Sequence, residues 1–125
     1  MTRGRAKRIL IVDDSFFLLK VTSEALAAAG YAVTAASNLA ELDVARKGEP
    51  PDLVLMDVDM PEAFGDEIAA VMRSSYAATP IYLYSDIPPA ELVARAKAAG
   101  ATGIIAKGSG VHAMVERVRV ILGDS

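Results

Sequence analysis

Four short runs of consecutive apolar residues constrain the fold of this chain more than any other feature. Each run is continuous rather than alternating with polar residues, which is typical of strands buried on both faces of a parallel sheet. A fifth, weaker run over residues 31–35 is smaller and partly polar, which suits an edge strand. The four strong runs cover residues 9–12, 53–56, 81–84 and 103–106.

Segments with helical signals lie between these runs. Residues 16–29 are rich in Leu and Ala and stop at Gly30, and residues 38–47 open with Asn38 and Glu41 at capping-box spacing. Strands that alternate with helices predict an α/β fold, in which right-handed crossovers connect a five-stranded parallel sheet with five helices. The other three predicted helices cover residues 66–74, 88–99 and approximately 110–122.

Composition and charge exclude several classes of function. The 125 residues suffice for one domain. The chain has no cysteine, which excludes disulfides and thiolate zinc sites. It has a single histidine, His112, which excludes a multi-histidine metal site. Residues 1–8 carry four basic residues and no acid, which leaves 9 basic against 16 acidic residues in the remainder. An acidic body does not attract nucleic acid or anionic lipid, and no run is long enough for a membrane span. We therefore expect a basic tail over 1–6, one folded domain over 7–125, no nucleic-acid or membrane partner, and a cytoplasmic location.

Polar side chains follow four of the five predicted strands, at the points where these strands end. The carboxyl ends of parallel strands meet at one edge of the sheet, where α/β proteins bind their ligands. Clustered carboxylates repel one another, and a hard cation such as Mg²⁺ or Ca²⁺ relieves that repulsion. The residues concerned are Asp13, Asp14, Asp57, Asp59, Ser85, Asp86 and Lys107.

The charges of this set suit phosphoryl chemistry. Asp13, Asp14 and Asp57 contribute three negative charges, which one Mg²⁺ and Lys107 would balance. A neutral pocket with an exposed carboxylate can accept a phosphoryl group, because the metal and the lysine offset charge on the transferring oxygens. Ser85 would then donate a hydrogen bond to a phosphoryl oxygen.

At these residues the chain resembles the receiver domains of two-component response regulators. The likeness runs from about Lys7 to Leu122 and implies a flavodoxin-like, doubly wound sheet of strand order 2-1-3-4-5. It also implies a stand-alone signalling domain that is not counted as an enzyme. The residues that carry it are 9–15, 51–57, Met60, Pro61, Gly65, Ser85, 99–101 and Lys107.

The resemblance implies a role for each site residue. Asp57 accepts a phosphoryl group from a histidine kinase or phosphotransfer protein, and an unknown downstream protein receives the signal. Asp14 and Asp57 bind Mg²⁺ directly, Asp13 helps through water, and the backbone carbonyl of Asp59 is a further ligand. Lys107 contacts the phosphoryl group.

By the same resemblance Ser85 is the switching hydroxyl, but four nearby positions depart from the family pattern. Gly108 stands where many members have a proline in a cis bond, and Ile104 replaces an aromatic residue that rotates on activation. Asp86 replaces a small residue beside the phosphoryl site, and Asp59 is acidic where the family varies. The departures at Ile104, Asp86 and Gly108 favour an alternative, a phosphorylation-independent interaction module (a pseudo-receiver) on the same fold, whereas the intact set of acidic residues argues against it.

A second alternative is a phosphatase. Asp57 and Asp59 match the DxD motif of haloacid-dehalogenase-type phosphatases, which also form an aspartyl phosphate. In those proteins the motif follows the first strand of a longer chain, whereas here it follows the third, which disfavours this interpretation. Phe16 and Phe17 are expected to pack within the first helix, and His112 is expected on the surface of the last.

Overall fold

The strands form one parallel sheet at the centre of the molecule. The structure is a computed structural model that describes residues 6–57, 74 and 78–124. The strands are β1 Arg8–Val12, β2 Ala32–Ala36, β3 Leu53–Met56, β4 Ile81–Ser85 and β5 Gly103–Ala106. Their order in the sheet is β2-β1-β3-β4-β5, which confirms the predicted order 2-1-3-4-5. The weak edge strand, β2, lies one residue later than expected.

Helices connect the strands. In the part of the chain that the structure describes there are four α-helices rather than the five expected, because the helix predicted over 66–74 lies outside the described residues except for Ser74. A short 3-10 helix, Lys107–Ser109, follows β5. The α-helices are α1 Phe16–Ala28, α2 Leu39–Arg46, α3 Pro89–Ala99 and α4 Val111–Leu122.

Local side-chain bonds set where α1 and α2 begin. The Ser15 hydroxyl accepts a hydrogen bond from the backbone N–H of Leu18 (3.3 Å), which caps α1. The Asn38 side chain caps α2 by accepting from the N–H of Glu41 (2.8 Å). The Glu41 carboxylate then accepts from the backbone N–H of Ser37 (2.6 Å), one residue before the cap that a capping box would use. The Ser37 hydroxyl donates to the same carboxylate oxygen (2.8 Å), and the two hydrogen bonds from Ser37 lower the pKa of Glu41.

Two apolar clusters cover the two faces of the sheet. Alternate residues of β1, β3 and β4 point to opposite faces, so that both faces of each strand are buried. One cluster joins the sheet to α2 and α3 through Leu42, Leu92 and Ala96. The other joins it to α1 and α4, with Leu26 and Met114 among its fully buried side chains. This double coverage explains why the strand sequences are continuously apolar.

One packing prediction is wrong. Phe16 and Phe17 are 82% and 73% exposed, although both were expected to pack within the first helix. They occupy the first turn of α1, and the buried positions of this helix begin only at Leu19. The exposed position of His112 is as expected.

A small polar cluster joins the amino-terminal side of β1 to the end of α4. The Lys7 ammonium donates hydrogen bonds to the carbonyl of Leu122 (2.5 Å) and to the Asp124 carboxylate (3.0 Å). The Tyr31 hydroxyl donates to the other oxygen of Asp124 (3.0 Å). Burial, the hydrogen bond and the charge of Asp124 raise the pKa of Tyr31 to about 12. These contacts hold residues 7 and 124 side by side.

Candidate functional site

The sheet itself places two of the predicted site residues beside each other. Asp13 follows β1 and Asp57 follows β3, and these strands are neighbours with Val12 opposite Met56. The backbone N–H of Asp57 donates to the carbonyl of Val12 (2.8 Å), and that of Asp13 donates to the carbonyl of Ala36 (3.1 Å). Both residues are therefore fixed by the sheet ladder rather than carried by a free loop.

The carboxylates of Asp13, Asp14 and Asp57 form a cluster. One oxygen of each lies within 4.8 Å of the others. Asp13 and Asp57 are only 3% and 5% exposed, whereas Asp14 is exposed. Three negative charges this close repel one another, and an all-oxygen donor set of this kind suits a hard divalent cation. The side chains present therefore fit the Mg²⁺ that the sequence predicts.

Both carboxylate oxygens of Asp13 have protein partners. One accepts a hydrogen bond from the backbone N–H of Ser15 (2.9 Å), and the other accepts from the Lys107 ammonium (2.8 Å). An oxygen that is already bonded in this way is less available to a metal ion than one facing solvent. The water-mediated role of Asp13 and the direct role of Asp14 stay predictions.

Lys107 brings a positive charge to the carboxylates. Its Nζ lies 2.8 Å from an oxygen of Asp13 and 3.8 Å from an oxygen of Asp57, and its side chain is only 11% exposed. Burial by itself lowers the pKa of Lys107, but the hydrogen bond to Asp13 and the charge of Asp57 outweigh it and raise that pKa above its usual value. The lysine is therefore charged at neutral pH.

The predicted switch residues lie around the end of β4. Ser85 is fully buried, and its hydroxyl accepts a hydrogen bond from the backbone N–H of Ile87 (3.3 Å). Asp86 is exposed. Ile104 is half-buried and packs, as does Ile87, against the apolar cluster that contains Leu83 and Leu92.

Two of the positions predicted around the site remain, Gly108 and Asp59. Gly108 lies in the 3-10 turn after β5, and a Cβ there would meet no atom within 4 Å. Among the described residues no peptide bond is cis. Asp59, the predicted carbonyl ligand, lies outside the described residues, as do Met60, Pro61 and Gly65.

Sequence reasoning missed one side chain at this site, Tyr84 of β4. Its ring centroid lies 5.2 Å from the Nζ of Lys107. Its hydroxyl is hydrogen-bonded to Thr22 of α1, and burial raises its pKa. No local sequence pattern signals this contact, because it arises from the pairing of Tyr84 in β4 with Ile105 in β5, two residues before Lys107.

No helix in the described part of the chain has the length and apolar character needed to cross a membrane.

Comparison with known proteins identifies the family. The sequence model of the response regulator receiver domain matches residues 9–119. The polar-differentiation response regulator DivK of Brucella ovis is 28% identical, and the alignment covers 95% of this chain and 98% of that protein. The solved chemotaxis response regulator CheY4 of Vibrio cholerae is 31% identical with a TM-score of 0.83, covering 94% of this chain and 99% of that one.

A longer relative shares the same domain. The protein-glutamate methylesterase/protein-glutamine glutaminase of a Nocardioides species is 33% identical over 92% of this chain, which spans only 33% of that protein. The match covers nearly all of the present chain in each case, and the sheet order agrees with it. This chain belongs to the family of response regulator receiver domains.

Proposed function

We propose that this domain accepts a phosphoryl group on Asp57 from the phosphohistidine of a histidine kinase or phosphotransfer protein. The observation that carries the proposal is the buried charge arrangement at the carboxyl edge of the sheet. Asp57 lies within 4.8 Å of two other carboxylates and 3.8 Å from the Lys107 ammonium. A nucleophile and its counter-charge are thus assembled where a phosphoryl group would arrive.

The proposed transfer is a single displacement at phosphorus. An oxygen of the Asp57 carboxylate attacks, the P–O bond forms, and the P–N bond of phosphohistidine breaks. The imidazole nitrogen keeps the electron pair of the broken bond, and the donor ring leaves as neutral imidazole because its other nitrogen carries a proton in the phosphohistidine. Charge builds up on the phosphoryl oxygens during this step, and positive groups around them stabilise the transition state.

Lys107 is proposed to supply one of these positive groups. Its Nζ already bridges the space between Asp13 and Asp57, so that a short movement brings it to a phosphoryl oxygen on Asp57. Asp14 and Asp57 are proposed to hold Mg²⁺ directly, with Asp13 acting through water and the backbone carbonyl of Asp59 as a further ligand. Bound Mg²⁺ would offset negative charge on the phosphoryl oxygens.

The donor protein is proposed to cover Phe16 and Phe17. These two rings are exposed on the first turn of α1, directly after the cap residue whose backbone N–H binds Asp13. A protein that brings its phosphohistidine to Asp57 must occupy the space around this edge. Burying exposed aromatic rings is a common source of affinity at such contacts.

Signal output is proposed to occur by contact with a downstream protein, and the domain is proposed to act in the cytoplasm. Ser85 would change its hydrogen bonds when Asp57 carries a phosphoryl group, and the loop over 86–89 would move with it. The alternative is a phosphorylation-independent module on the same fold. Asp86, a carboxylate directly after the switching hydroxyl, and the aliphatic Ile104 favour that alternative.

Intact-mass measurement after incubation with acetyl phosphate and Mg²⁺ tests the proposal. We expect a gain of one phosphoryl group, and Asp57→Asn should abolish it because the amide keeps the shape but not the nucleophile. Asp86→Ala should speed labelling, since an exposed carboxylate repels the incoming dianion. A folded wild-type domain that gains no mass would instead support the phosphorylation-independent module. Rapid turnover of a phosphomonoester would support the phosphatase.

A further inference from the structure

Tyr84 lies directly beneath the ammonium group of Lys107. The tyrosine is in β4, is only 5% exposed, and packs in the apolar cluster between the sheet and α1 and α4. The distance of 5.2 Å between Nζ and the ring centroid is within the range of a cation–π interaction. The face of an aromatic ring is electron-rich and attracts a cation, most strongly where water is excluded.

The tyrosine ring is itself held in place. Its hydroxyl is hydrogen-bonded to Thr22, which lies in α1 and is 3% exposed. The same helix begins at the Ser15 cap, whose backbone N–H binds Asp13. One helix therefore orients both the ring and a carboxylate that contact the same ammonium.

The three groups around the Lys107 ammonium differ in whether they occupy its N–H donors. Asp13 accepts one of its three N–H groups at 2.8 Å, and Asp57 lies 3.8 Å away. The ring of Tyr84 attracts the charge without accepting a conventional hydrogen bond, so that it restricts where Nζ can lie while leaving donors for an arriving phosphoryl oxygen. A lysine stem is otherwise flexible, and ordering it beforehand removes an entropic cost from the transfer.

We propose that Tyr84 is a positioning residue for Lys107, and that its ring holds the ammonium where it stabilises phosphoryl transfer to Asp57. The inference rests on the proposed function of this site. The effect on the reaction is assigned to the ring of Tyr84 and not to its hydroxyl. The reason is that the ring contacts the ammonium, whereas the hydroxyl contacts α1. A substitution that keeps the ring should therefore preserve the effect.

Three variants separate the ring from the hydroxyl and from general packing. Tyr84→Leu removes the ring, and Tyr84→Phe keeps it but loses the bond to Thr22. Tyr82→Leu is the matched control, because Tyr82 lies on the same strand and faces the same cluster but has Arg117 over its ring at 5.9 Å. Urea unfolding of each variant identifies conditions in which all are folded.

Two readouts are measured under those conditions. Labelling by acetyl phosphate with Mg²⁺ should be about three- to thirtyfold slower in Tyr84→Leu, the range expected for loss of one cation–π contact. It should stay within about twofold of wild type in Tyr84→Phe and Tyr82→Leu. Proton NMR of the Lys107 ε-methylene should show an upfield ring-current shift that Tyr84→Leu abolishes and Tyr84→Phe retains.

Each result that differs from these expectations would rule out a specific part of the proposal. Labelling by Tyr84→Leu at the wild-type rate would overturn the proposal, as would equal slowing in Tyr82→Leu, which would indicate a structural role only. A Lys107 methylene that shows no ring-current shift in the wild type would also overturn it. If the wild-type domain takes up no phosphoryl group, the proposed function fails, and the NMR comparison alone decides whether Tyr84 positions the lysine.

Discussion

Replacing Lys107 with methionine removes the ammonium between Asp13 and Asp57 and keeps most of the apolar stem. The pair with Asp13 is short (2.8 Å), and the lysine side chain is 11% exposed, so that water screens it little. Removing one partner of a buried ion pair costs about 3–5 kcal/mol of stability, because the other charge stays buried without compensation. The bond from the N–H of Ser15 to Asp13 remains, which places the expected loss at the lower end, about 3 kcal/mol.

Urea unfolding with a chelator and then with Mg²⁺ measures this loss. The cluster of three carboxylates carries a charge of −2 with Lys107 and −3 without it. Mg²⁺ should therefore stabilise Lys107→Met more than the wild type. A cation that binds only the native state contributes about 2.7 kcal/mol at one hundred times its dissociation constant. The wild type gains from Mg²⁺ as well, so the difference in stability between the two proteins should narrow by about 1.4 kcal/mol for each tenfold by which Lys107→Met binds Mg²⁺ more tightly.

Lys20→Met is the matched control. Lys20 pairs with Glu24 at 3.8 Å on the exposed face of α1, and exposed pairs at this spacing are worth about 0.3–0.5 kcal/mol. The reasoning would be refuted if Lys107→Met cost no more than Lys20→Met in chelator, or if Mg²⁺ stabilised both variants equally.

Three further predictions address the metal, the loop and the far end of the sheet. Asp14→Ala should weaken Mg²⁺ binding at least tenfold, about 1.4 kcal/mol, and unchanged affinity by calorimetry would remove Asp14 from the ligand set. A phosphoryl mimic should change amide exchange at residues 85–95 more than at Ile104, because two prolines stiffen that loop; a response confined to another face would contradict this. The pKa of Tyr31 is about 12 in the folded domain and about 10 in the unfolded chain, so the free energy of unfolding should fall as pH rises between these values. Urea unfolding of Tyr31→Phe should show a smaller fall, and an equal fall would contradict the assignment.

The sheet and much of the candidate site could be predicted from sequence because strands buried on both faces consist of consecutive apolar residues. Strands such as 53–56 have no solvent face, and the residues after them, Asp13 and Asp57, lie at the edge where parallel strands end together. Their chemical roles remain predictions, because a pattern of residues indicates proximity and not reactivity.

Other features depend on contacts between distant segments, which local patterns do not contain. Phe16 and Phe17 are apolar residues in a helical sequence, and only the position of α1 on the sheet shows that both side chains are left exposed in its first turn. Tyr84 has an ordinary strand sequence around it. Its contact with Lys107 arises because β4 and β5 are paired, and its bond to Thr22 arises because α1 lies on that face.

The contact of Lys7 with Asp124 has a consequence for anything joined to this domain. Lys7 and Asp124 mark one corner of the fold, since their side chains are 3.0 Å apart, and a segment attached at either residue would start from that corner. That corner lies at the amino ends of the strands, and Asp13 is six residue steps along the extended chain from Lys7, roughly 20 Å along the sheet. A fluorescent protein, an affinity tag or a further domain attached at either position would leave the acidic pocket open to a large donor. The same proximity makes the domain suitable for circular permutation, with a short linker joining the two positions and new termini opened in another loop.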